Sequence, residues 1–202
     1  RDVYSQGRYP DLWFYWKGKP VIMAYPDNLV EDDTDRRIAE FFTFRPGQPD
    51  YVNGPGRDDQ WAWLENYPQN GYVQTGDGGF EEVTVGVAQN AGPMTHGHCS
   101  AFNLPGTFSR SFSQRNGFDP RMEGYLYGWN FQEQWDRARE IDPELVFVTG
   151  WNEFTAGMWR KEHGWSDPLS FVDQYNWDCS RDIEPNKGWG DRGDVYYVQL
   201  VD

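Results

Sequence analysis

Long apolar runs are missing from this sequence: none approaches the roughly 20 residues that span a bilayer, so no membrane insertion is expected. Cysteine is scarce too. Cys99 and Cys179 are the only two, and neither lies in a CxxC or a metal-ligand spacing. They leave two readings open, one disulfide of an exported enzyme or two unpaired buried thiols. Basic residues are outnumbered, eighteen Lys and Arg against thirty-two Asp and Glu, giving a net charge of −14. A field of that sign repels phosphate backbones and anionic lipid surfaces, which excludes nucleic acid and membranes as partners. No Gly-x-Ser-x-Gly elbow occurs and no cysteine has neighbours that would activate a thiolate, so acyl transfer is disfavoured. No glycine-rich phosphate loop follows a strand, no EF-hand spacing is present, and no cofactor is expected.

Aromatic residues are plentiful: eleven Trp and twelve Tyr. Flat faces with a hydrogen-bonding edge suit sugar rings, whose C–H faces are apolar and whose rims carry hydroxyls. About half of the tryptophans are expected simply to fill the core.

The apolar pattern alternates strand and helix. Leu12 to Tyr15 and Pro20 to Tyr25 flank Lys17-Gly18-Lys19 as a hairpin. Asp33 or Thr34 caps a helix reaching about Phe44, with Ile38, Phe41 and Phe42 on one face. Trp61 to Tyr67, Phe80 to Gln89, Leu145 to Trp151 and Leu169 to Tyr175 read as strands. Asn130 and Glu133 open a helix in capping-box fashion, with Phe131, Trp135 and Ala138 inward, and Asp194 caps a last helix over Val195 to Val201. Between Asn90 and Phe118 lies a long polar loop, of a kind that commonly walls an active site. Strand, helix, strand in repetition implies a parallel sheet. About five strands end in acids, amides or aromatics (Asp27, Glu65, Gln89-Asn90, Asn152-Glu153, Asp173-Gln174), a convergence that favours a (β/α)8 TIM-type barrel over an open sheet. At 202 residues the chain is short of the about 250 of a whole barrel, and it opens at Arg1 with neither initiator Met nor targeting segment. The expectation is a piece of a longer protein.

Glycosidic cleavage needs one carboxyl to protonate the leaving oxygen, and a second carboxylate or a substrate group to supply the attack. Glu153, at the end of LVFVTGWNEF, is the first candidate, because Trp151 can desolvate its carboxyl and Asn152 can orient it or bind a hydroxyl. Whether it acts as acid, base or nucleophile stays open. Glu65 is the first-choice partner, with Asp27 or Asp173 as replacements. Trp63, Tyr67, Trp151, Asn152, His96, His98, Asp27 and Asp173 are the candidate sugar contacts. His96 and His98, two apart, could instead begin a metal site, but no spacing marks further ligands and no metal is expected. Each of these acids has a plainer reading as a helix cap or an arginine's partner. Arg181-Asp182-Ile183-Glu184 reads either as a salt-bridged loop or as a subsite wall, and Glu31-Asp32-Asp33 or Asp191 with Asp194 gives only a weak calcium signal.

FVTGWNEFTAG, Phe147 to Gly157, resembles the motif of glycoside hydrolase family 99, an apolar strand followed by Phe-Asn-Glu-Trp-x-Glu-Gly, matching at Asn152, Glu153 and Gly157 with aromatics at Trp151 and Phe154. The chain also resembles Trp-Asn-Glu barrel proteins of polysaccharide-degrading bacteria, in which segments similar to WLENYPQ (Trp63 to Gln69), VGVAQN (Val85 to Asn90) and SRDIEP (Ser180 to Pro185) recur in this order. The resemblance implies that residues 1–202 are the C-terminal portion, the later strands only, of a single barrel domain. The rest of the barrel or further domains would then lie N- and C-terminal to the chain. It further implies a secreted or periplasmic glycosidase acting on a polysaccharide or oligosaccharide. Ala156 stands where family 99 has its second glutamate, the acid/base, so only the first glutamate's role, assistance at the 2-hydroxyl, carries over to Glu153. The rival reading, which Ala156 suggests, is a non-catalytic carbohydrate-binding or scaffold barrel.

Overall fold

The computed structural model describes residues 3–30, 32–48, 50–89, 91–99, 102, 104–153, 157–159, 170–171 and 175–202. The chain begins with a hairpin of β1 (Tyr15–Trp16) and β2 (Lys19–Ile22), paired antiparallel. Its two-residue turn, Lys17-Gly18, has positive φ at both positions (51° and 83°), the geometry whose twist matches the flanking strands. Helix α1 (Asp33–Phe41) follows, capped by Asp32, whose carboxylate accepts from the Thr34 and Asp35 amides at 2.8 Å. The cap therefore falls one residue before the position expected from the sequence. α1 has no buried residue, and Phe42 turns extended to begin β3 (Thr43–Phe44), parallel to β2.

β4 (Gly47–Gln48) runs parallel to β5 (Trp61–Ala62). β6 (Tyr72–Gln74) returns antiparallel onto β7 (Phe80–Val85), with Tyr72 opposite Glu82. β8 (Phe112–Ser113) and β9 (Gly117–Phe118) form a hairpin inside the segment expected to be structureless. Helix α2 (Trp129–Ile141) then leads into β10 (Leu145–Val148), which pairs in parallel with β7 from Leu145↔Glu82 to Val148↔Val85. β11 (Met158–Trp159) and β12 (Ser170–Phe171) pair antiparallel, and α3 (Val195–Val201) closes the chain.

The strand–helix–strand units β2–α1–β3 and β7–α2–β10 carry the parallel pairing expected from the alternating pattern. The TIM-type barrel does not form. Among the described residues the strands make two sheets of three and three of two, with β1 and β6 entering antiparallel. The cause lies in side chains that occupy backbone groups a continuous ladder would use. Glu82 accepts the Ala62 amide at 2.8 Å, Gln134 accepts the Gly86 amide at 2.7 Å, and the Gln69 amide donates to the Thr84 carbonyl at 3.0 Å. Hence WAWLENY gives a ladder only over Trp61–Ala62.

Two apolar clusters hold the layers. Val83, Val85 and Val87 meet Phe131 and Ala138 of α2, with Ile183 and Tyr196 closing over them. Trp61, Ala62 and Tyr72 form the other, against Val21, Met23 and Leu145. Phe131, Trp135 and Ala138 of α2 face inward as their spacing predicts, but Asn130 and Glu133 are not a capping box. Gly128 is the cap, at φ 59°, where a Cβ would come within 2.6 Å of Gln199 Oε1. Asn130 donates to the Gly86 carbonyl at 3.0 Å, and Glu133 accepts the Gln114 and Arg115 amides at 2.7 and 3.0 Å. These polar side chains tie α2 to its neighbours instead of to its own first turn. Asp194 likewise makes no side-chain cap to α3.

Candidate functional site

The polar end of β10 is the best-built constellation in the fold. The Thr149 amide donates to the Val85 carbonyl at 3.0 Å, which continues the β7–β10 ladder by one residue. Gly150 then takes φ 87°, and a Cβ there would lie 2.5 Å from the Arg181 carbonyl oxygen. Glycine is required both for the left-handed turn and for this approach of two backbones. Residues 150–153 consequently lie along 181–184: the Ile183 amide donates to the Gly150 carbonyl at 2.9 Å and the Glu184 amide to the Trp151 carbonyl at 2.8 Å. Gly150→Ala is expected to destabilise the protein by at least about 2 kcal/mol in urea unfolding, since it adds a positive-φ penalty to a backbone clash.

Side chains complete the junction. The Glu153 amide donates to Asp182 Oδ1 at 2.6 Å, Arg181 Nη2 donates to Glu153 Oε2 at 2.7 Å, and Asn152 Nδ2 donates to Glu184 Oε2 at 2.6 Å. The Glu153 side chain keeps 28 % of its surface, while that of Arg181 is buried. Burial pushes the Asp182 carboxyl up to about 6, against the opposing pull of the Glu153 amide, Arg110 and Arg181. Trp151 is 49 % exposed, with its ring edge-on to Tyr197 at 6.0 Å.

Beneath this junction lies Arg110, almost fully buried. Its guanidinium donates to the carbonyls of Ser180 (2.8 Å), Trp177 (3.2 Å) and Asp182, and to the Ser180 hydroxyl, and it sits 4.1 Å from the Tyr196 ring centre and 4.8 Å from that of Trp189. The planar fork of an arginine is the side chain that can bind several carbonyls at once while stacking on aromatics.

Glu65 is built differently. It is 1 % exposed, and both carboxylate oxygens accept from Asn70, from the backbone amide at 2.9 Å and the side chain at 2.6 Å. Burial raises its carboxyl to about 7 against those hydrogen bonds. Glu65 and Glu153 share no partner among the described residues. The segments that lead to them meet at β7: the Thr84 hydroxyl bridges the carbonyls of Trp63 (3.1 Å) and Phe147 (3.3 Å), and the Trp63 ring, 39 % exposed, lies 5.8 Å from that of Phe147.

The remaining candidates are engaged elsewhere. Asp27 is exposed and ion-paired with Arg57, which also holds Asp59 at 2.8 Å. The Tyr67 hydroxyl accepts from Arg115 at 2.9 and 3.1 Å, under the same guanidinium that lies 5.2 Å from its ring. His96 ends a short 3-10 turn at φ 53°, and His98 Nδ1 lies 3.7 Å from Asp50 Oδ1. Asp173 falls outside the described residues, as do Gln174, Asn90, Glu31, Phe154 and Ala156. Cys99 and Cys179 form no disulfide with each other, and burial pushes the Cys179 thiol up to about 12. Asp32 places its carboxylate on the α1 amides, and among the described residues no three His, Cys, Asp or Glu side chains come together as a metal site would need.

The sequence pointed to Trp151-Asn152-Glu153 but not to Arg110, which one cannot tell from other loop arginines by spacing, and it left Arg181-Asp182 open between a salt-bridged loop and a subsite wall, without placing either beside Glu153. Among the described residues no helix is long and apolar enough to cross a membrane. Compared with protein-family models, with curated proteins and with solved structures, the chain matches none.

Proposed function

We propose that the protein hydrolyses glycosidic bonds of a polysaccharide or oligosaccharide, with Glu153 as the carboxylate that meets the sugar and Trp151 as an aromatic face beside it. The observation that carries this reading is the juxtaposition at the end of β10: a partly exposed carboxylate, fixed by Arg181 and by its own backbone bond to Asp182, next to an exposed tryptophan. A carboxylate pre-positioned by hydrogen bonds, with an aromatic platform within two residues, is suited to act on a bound ring or on one of its hydroxyls. The resemblance to glycoside hydrolase family 99 and to the Trp-Asn-Glu proteins supports the same reading, and with it export from the cytoplasm.

A second reading, carbohydrate binding without cleavage, draws on Glu65: with both oxygens on Asn70 and almost no exposure, it holds residues 65–70 in place instead of facing a sugar. Reducing-end release and calorimetric binding on a panel of polysaccharides, with wild type and Trp151→Ala, separate the two. Release that is lost with binding in Trp151→Ala supports hydrolysis at this site. Binding without release supports the second reading, and an absence of both overturns the carbohydrate assignment.

A further inference from the structure

Adjacent glutamates on β7 meet opposite surroundings. Glu81 accepts from Arg45 Nε (2.8 Å) and Nη2 (3.0 Å) and from the indoles of Trp16 (3.1 Å) and Trp61 (3.2 Å), with Lys17 3.7 Å away. Burial pushes its carboxyl up, but these donors outweigh it and hold it below the ordinary range. Glu82 is 0 % exposed; one oxygen accepts the Ala62 amide, and the other, Oε1, has no partner among the described residues. Opposite it in register stands Tyr72, whose hydroxyl is buried beside Glu65. That hydroxyl lies close enough to the Glu65 carboxyl for each to shift the other's titration, the hydroxyl pulling Glu65 down against the burial that raises it. The charged or titratable groups acting on this cluster are Glu65, Tyr72, Glu82 and Asp50, and among the described residues no Lys or Arg pairs with Glu65 or Glu82. From α2, Gln134 gives its side chain to the Glu65 carbonyl (2.8 Å), and Arg137 turns to the Gln69 carbonyl (3.0 Å).

We propose that Glu65, Tyr72 and Glu82 form a proton-dependent latch between β5, β6 and β7, which holds the layer closed while the glutamates are neutral and releases it as they ionise. A bare carboxylate oxygen with no donor and no cation in an interior is the form a protein tolerates least, whereas the neutral acid supplies its own O–H. Burial, reinforced by Glu65, raises Glu82 well above the ordinary range, and Glu65 lies at about 7. Acids raised in the folded state give stability that is complete below their unfolded value and is lost as pH rises through the folded one. Glu65 alone would raise the unfolding constant by up to about 300-fold between pH 4.5 and about 7, at ten-fold per pH unit. Glu82, raised in the same direction by burial, adds to the loss.

The test is urea unfolding from pH 5 to 9 of wild type, Glu65→Gln, Glu82→Gln and, as a control, Glu81→Gln. Wild type is expected to lose stability as pH rises. Glu82→Gln and Glu65→Gln each flatten that slope, Glu65→Gln below about pH 7, and Glu81→Gln is less stable throughout. Asp182, raised to about 6, contributes to the wild-type slope, so the difference between wild type and variants is the quantity that decides. Infrared spectra of the wild type at pH 6 give an answer independent of variant folding: a protonated-carboxyl band that fades as pH rises through about 7 is expected there. Its absence, or slopes unchanged in both Glu65→Gln and Glu82→Gln, overturns the latch.

Discussion

Arg110→Met is expected to unfold the region around residues 177–184 and to cost the protein about 3–5 kcal/mol, the largest single-residue effect outside the strands. The guanidinium satisfies the carbonyls of Trp177, Ser180 and Asp182, and its removal leaves the buried acceptors on Ser180 and Asp182 without donors at about 1–3 kcal/mol for each left dry. Methionine refills the volume between Trp189 and Tyr196 but supplies no N–H. Arg110→Lys is expected to recover less than half of the loss, because a point ammonium cannot reproduce the fork or its stacking. Urea unfolding followed by tryptophan fluorescence measures both, and a cost below about 1 kcal/mol for Arg110→Met would show that water replaces the guanidinium.

The same residue shows why the sequence reveals one half of the site and not the other. LVFVTGWNEF declares a strand and its polar end, because a run of Leu, Val and Phe can be buried only in regular structure and the change to Asn and Glu marks where burial stops. β7 is legible through Val83, Thr84 and Val85, α2 through the spacing of Phe131, Trp135 and Ala138, and the first hairpin through Lys17-Gly18. What brings Arg181 and Asp182 to Glu153 is the burial of Arg110 under a distant segment, and no local periodicity encodes that. The barrel fails for a related reason. Strand ends rich in Glu, Gln and Asn read as a converging ring of chemistry, but in the fold Glu82, Gln69 and Gln134 turn onto backbone groups and replace the strand pairing that closure would require. Polar residues at strand ends have two uses, facing a ligand or satisfying the backbone. Only the tertiary structure separates them, as Glu65 and Glu153 demonstrate.

Glu153→Gln is expected to lower turnover of a cleaved glycan by about 10²–10⁴-fold while leaving stability within about 1 kcal/mol of wild type. The amide keeps an oxygen for Arg181 Nη2, and the backbone bond to Asp182 does not involve the side chain, so the junction of residues 150–153 with 181–184 persists. Arg181→Met should act differently. It leaves the Glu153 carboxylate in place without the donor that aims it, so turnover falls through lost positioning while a carboxylate remains, whereas Glu153→Gln removes the carboxylate altogether. Steady-state rates for the two variants, with denaturant unfolding run alongside, distinguish a carboxylate that acts on sugar from one that serves only to anchor Arg181. In the second case Glu153→Gln and Arg181→Met would lose stability together and change turnover only in proportion to the folded fraction.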